Sequence, residues 1–132
     1  MAQQRLQDQE FLLELLTQIE VVLRTLVHDR KDLCPEHYQS ALPGPWDEVA
    51  AKLKAVHDQI KAEEFDWRYI HDIGIVTNPG KWERGLLDQS SGLEEWPRAL
   101  DISRAILGSL KGAFPGLDFV LEYADCVRAC LR

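Results

Sequence analysis

Leu12, Leu15, Ile19, Val22 and Leu26 recur at intervals of 3, 4, 3 and 4 residues. This spacing follows the 3.6-residue turn of an α-helix and gathers the five on one face. Leu16 and Leu23 widen the stripe, which predicts a long helix over about residues 4–31. Pro35 suits the opening of a short helical turn running to Leu42, and Leu42-Pro43-Gly44-Pro45 is a chain break. The interval pattern then repeats in Trp46, Val49, Leu53, Val56 and Ile60. Asp47 and Glu48 complement the positive end of this second helix, which is expected to run on, kinked, through Phe65, Trp67 and Ile70 to Gly74. A glycine there can take the left-handed conformation that ends a helix.

Residues 75–93 are the least regular part of the chain, with turn signals at Asn78-Pro79-Gly80 and Gln89-Ser90-Ser91-Gly92 and a short helix expected around Trp82–Leu87. Beyond them Leu100, Ser103, Leu107, Leu110 and Phe114 form a third stripe, with Pro97 setting its start near Glu95. Leu117, Val120, Ala124, Val127 and Leu131 form a fourth. Gly108 and Gly112, one turn apart, allow a neighbour to come close to bare backbone. Phe119, Tyr123, Cys126 and Cys130 broaden the last apolar arc, the profile of a helix that contacts several others. Four periodic segments without a sustained alternating stretch predict an all-α, four-to-five-helix bundle in a single domain.

Charge and cysteine content narrow the setting. The 132 residues carry a net charge of −7. Residues 1–66 hold 7 Lys and Arg against 13 Asp and Glu, whereas residues 67–132 hold 8 against 9. Such a chain lacks the basic footprint of a nucleic-acid binder, while its acidic half suits a basic protein partner. The polar start has no apolar signal core, and Glu14, Glu20 and Arg24 interrupt the most hydrophobic stretch, so neither a secretory leader nor a membrane span is expected. Cys126 and Cys130, four apart on one helix, are too widely spaced for a ready disulfide and read as buried thiols, while Cys34 has no ligand set around it. A cytoplasmic protein is expected.

One stretch carries a chemical signal. His71-Asp72-Ile73-Gly74 resembles the signature of the HD-domain metal phosphohydrolases, which are also all-helical. The resemblance implies a divalent metal held by His71 and Asp72, with His37 or His28 upstream and Asp125 downstream, activating a bound water. It covers four residues; no histidine follows His71, and Ile75 stands where that family commonly has a basic residue. Without the resemblance, His71 is a basic group in the last turn of a helix, where it complements the dipole. The chain contains no metalloprotease, phosphate-loop, zinc-finger or serine-hydrolase motif. Glu63-Glu64 reads as a solvated face.

The stronger signal is apolar excess. Leu6, Leu13 and Val21 project away from the core stripe of the first helix, and Trp82 lies in the irregular region, so these four are the candidate partner-binding residues. The sequence therefore predicts a small acidic interaction module (adaptor, inhibitor or immunity-type protein) with no cofactor, a basic protein partner and a homodimer seam on the first helix. The HD-type hydrolase is the alternative.

Overall fold

The four stripes become four long helices whose apolar faces close on one another. The computed structural model describes residues 2–29, 42–74 and 96–130. The Pro35 turn, Cys34, the irregular region 75–93 with its expected short helix, and the predicted site residues His37 and Trp82 lie outside the described residues. Helix α1 spans Ala2–Arg24 and continues as a π turn, Thr25–Asp29. It is followed by α2 (Trp46–Lys61), α3 (Trp67–Asp72), α4 (Trp96–Leu110) and α5 (Leu117–Cys130). Among the described residues no strand occurs.

The long helices form a ring in which α1 packs on α2 and α4, and α5 packs on the same two. Leu12, Leu15, Ile19, Val22 and Leu26 are buried, as are Val49, Leu53, Val56 and Ile60. From the other half come Leu100, Leu107, Leu110, Phe114, Leu117, Val120, Ala124 and Val127. Burying a side chain of this kind is worth roughly 1.5–3 kcal/mol relative to exposure, so the stripes supply the driving force for the bundle. Ser103 is the polar member of the third stripe, and it is fully buried. Its hydroxyl donates to the Ala99 carbonyl at 2.8 Å, which satisfies it within its own helix.

Two departures from the periodic reading matter for function. The first helix widens at Thr25 into the π turn, where Leu26 and Val27 are both buried and the exposed His28 ring meets Trp46 edge-on at 5.6 Å. The second helix does not run on to Gly74. It stops at Lys61, Glu63 adopts a left-handed φ of 55°, and the Asp66 side chain caps α3 by accepting the Arg68 N–H at 2.9 Å. The left-handed residue turns the chain, and the cap starts a new axis. Gly74, at φ 79°, ends α3 as expected.

The short α3 is held from two sides. The Tyr69 hydroxyl donates to the Ser109 carbonyl at the end of α4, at 2.8 Å. The backbone of Gly112 lies so close to the Tyr69 ring that a Cβ there would overlap its hydroxyl and ring carbons. The close approach foreseen at Gly112 is thus made by a side chain. Phe65 contacts Trp67 at 4.6 Å and the buried Phe114 at 5.4 Å, tying the α2–α3 connection to the core.

Candidate functional site

The α2–α3 connection gathers exposed charge with an acidic excess. Glu63, Glu64, Asp66 and Asp72 are all exposed, against Lys61 and Arg68 among the basic residues of the same stretch. Among the described residues none of these four acids forms an ion pair. Their positions are fixed by backbone bonds instead: the Glu64 carbonyl accepts from Gln59 Nε2 at 2.8 Å, and the Glu63 N–H donates to the Ile60 carbonyl at 3.0 Å. The start of α1 abuts this end. Gln9 Nε2 donates to the Ile60 and Lys61 carbonyls at 2.8 and 3.2 Å, closing the end of α2. Buried Asp8 lies 3.9 Å from His71 Nε2. Leu6, one turn before Gln9, is 54% exposed, and Phe65 and Trp67 are partly buried beside the acids.

The seam between α4 and α5 handles charge in the opposite way. Arg104 Nε donates to Asp125 Oδ1 at 2.7 Å, and its Nη1 donates to Asp101 Oδ1 at 3.1 Å. Arg128 Nε donates to the same Asp101 oxygen at 2.9 Å. The four charges border a shallow, open depression with Ala105 and Leu121. The Asp125 hydrogen bond, more than that of Asp101, holds the Arg104 guanidinium above its already high ordinary value. Beside this seam the Cys126 thiol is pushed up by burial and then by the nearby Glu122, Cys130 and Asp125, so it stays protonated. Cys126 and Cys130 are free but only partly buried, not enclosed as the sequence suggested, because they occupy one shoulder of α5 rather than the centre of its stripe.

A groove of about 350 Å³ runs between α1 and α2, bordered by Thr17, Glu20, Lys54, His57, Asp58 and Lys61 with Leu53 at its floor. Burial, and then Lys61, pulls the His57 imidazole below its ordinary value, against the smaller opposing pull of Asp58 and Glu20. His57 therefore reaches neutral pH uncharged.

The predicted site residues separate. Leu6 stands out from the surface as expected. Leu13 is partly buried and packs against the core, because α2 runs along that flank of α1, and Val21 is also partly buried. His71 and Asp72 are exposed in the last turn of α3, whereas Asp125 is engaged by Arg104 across the α4–α5 seam. Among the described residues, no three His, Cys, Asp or Glu side chains gather in a way that could hold a metal ion. No helix among them is long and apolar enough to cross a membrane. The Arg–Asp network was not apparent from the sequence because its members lie 21 and 27 residues apart and meet only when two helices pack. No protein-family model, curated protein or solved structure matches this chain.

Proposed function

We propose that this chain is a small helical protein-interaction module, of the adaptor or inhibitor kind, whose acidic end receives a basic surface of another protein. The observation that carries this reading is the group Glu63, Glu64, Asp66 and Asp72, exposed and without ion pairs among the described residues, interleaved with the partly buried Phe65 and Trp67. Like charges held together cost stability through mutual repulsion, and an incoming cationic surface relieves that cost. Carboxylates of one sign also steer a basic partner into encounter, while the apolar and aromatic side chains provide the contact that slows its release. The partly exposed, free Cys126 and Cys130 suit a reducing, cytoplasmic setting.

The test uses the whole chain. Proteins captured from native lysate are identified, and the binding of each purified candidate is measured for wild type and for Glu63→Lys with Glu64→Lys, at low and moderate salt. The expected partner is basic, binds the reversed variant at least about tenfold more weakly, and loses affinity as salt rises. Equal affinity for both forms at both salt concentrations would sink the proposal.

A further inference from the structure

The groove between α1 and α2 combines an apolar floor with polar groups that converge on it. Ala50, Lys54, His57 and Lys61 recur at intervals of 4, 3 and 4, which sets them in one row along α2. Ala50 and the buried Leu53 floor the groove, and Thr17 and Glu20 of α1 form its other wall. The partly buried His57 stands one turn from a lysine on either side. Both lysines are exposed and form no ion pair among the described residues. Of the two acids on the rim, Glu20 is drawn to Arg24 at 3.5 Å, which leaves Asp58 against two unpaired ammonium groups. A volume of about 350 Å³ between two helices, with few polar groups and a titratable ring of altered basicity, is the profile of a small-molecule site.

We infer that this groove binds a small organic monoanion, a carboxylate head on a short apolar body. The head lies over His57, where the flexible stems of Lys54 and Lys61 bring an ammonium group from either side and the imidazole supplies an N–H. The body lies along Ala50 and Leu53. A dianion such as a phosphate monoester fits less well, because Asp58 and Glu20 border the same space. A cationic head meets the two lysines. Binding also carries a proton. The charged groups that share the groove with His57 are Lys54, Asp58 and Lys61 of α2 and Glu20 of α1. An anion over the ring cancels part of the Lys61 field that, after burial, keeps the imidazole uncharged. Protonation is therefore favoured in the complex, and the carboxylate binds more tightly as pH falls. Glu63, Glu64, Asp66 and Asp72 take no part, so the groove stands or falls independently of the acidic end.

Octanoate is the probe, titrated into the full chain and followed by the His57 ring and Thr17 methyl resonances. Saturable binding with a Kd of about 1 mM or tighter is expected. Octylammonium has the same body with the opposite charge, and inorganic phosphate is an anion without a body; each should bind at least about tenfold more weakly. Lys54→Ala with Lys61→Ala should weaken octanoate by about tenfold. Asp58→Asn should tighten it by about threefold, a gain that damage to the fold does not produce. Between about pH 8 and 6, where the probe stays ionised, wild-type affinity should rise by about threefold or more while that of His57→Gln stays level. No saturation up to about 10 mM, octylammonium or phosphate binding as tightly as octanoate, or the same pH dependence in His57→Gln would overturn the inference.

Discussion

The α4–α5 seam and the α2–α3 end expose comparable numbers of charged side chains, yet they use them for opposite purposes. At the seam two arginines and two aspartates interlock over distances of 2.7–3.1 Å and fasten one helix to its neighbour. At the α2–α3 end the acids stand without ion pairs among the described residues, while Tyr69, Phe65 and Phe114 hold the backbone. Paired charge spends its field inside the molecule, and unpaired charge of one sign projects it outward. The seam is therefore read as structure, whereas the acids of the α2–α3 end fasten no helix through an ion pair among the described residues.

The largest expected effect comes from loosening the end itself. Gly112→Ala places a methyl group where the Tyr69 ring lies, which should push α3 away and cost about 1–3 kcal/mol in denaturant unfolding. In a Tyr69→Ala background the same change should cost under about 0.5 kcal/mol, since the obstructing ring is gone. Similar costs in both backgrounds would mean that Tyr69 does not dock α3. Asp101→Ala comes next. It removes the oxygen shared by Arg104 and Arg128, and these are exposed groups, so the loss should be about 1 kcal/mol and should shrink in high salt. No measurable loss would make the seam decorative and erase the contrast.

Much of this architecture was legible in the sequence, because burial in a helix bundle is a periodic demand. Leu53, Leu107 and Val127 fall on stripes that any correct packing must bury, and all are buried. The break between α2 and α3 was not legible. Trp67 and Ile70 continue an apolar pattern across it, and nothing about a glutamate announces that Glu63 takes a left-handed φ. The partial burial of Leu13 was not legible either, because a wheel drawn for one helix does not show which flank its neighbour covers. The acids of the candidate site were visible as Glu63-Glu64, but their isolation from basic partners is a tertiary property.

Between the two extremes lies the α1–α2 groove, where charges of both signs surround His57. Its imidazole is held below its ordinary value, chiefly by burial, so the unfolded chain takes up a proton there at higher pH than the folded one does. The contribution of His57 is therefore fully present above the unfolded value of about 6.5 and is lost as pH falls below it, until the folded protein is protonated as well. Wild type should lose more stability than His57→Gln between about pH 7.5 and 5.5. Parallel curves for the two proteins would show that the groove does not desolvate the ring.

The smallest expected effect on stability belongs to the residues on which the functional reading depends. Glu63→Lys with Glu64→Lys should change the unfolding free energy by no more than about 0.5 kcal/mol, because neither carboxylate has an ion pair to lose among the described residues. The hydrogen bonds that fix this turn use the Glu63 N–H and the Glu64 carbonyl, which the substitutions leave in place. Lysine meets the left-handed φ at position 63 no worse than glutamate does, since both carry a Cβ. Glu63→Gly sharpens the point: it should stabilise the chain by roughly 1 kcal/mol, because glycine takes that φ without strain. The native glutamate would then carry a backbone cost that its own fold does not repay, as expected of a side chain that serves a contact outside the molecule. A loss above about 1 kcal/mol in the double reversal would place these carboxylates among the structural charges, as at the α4–α5 seam, and remove the distinction between the two regions.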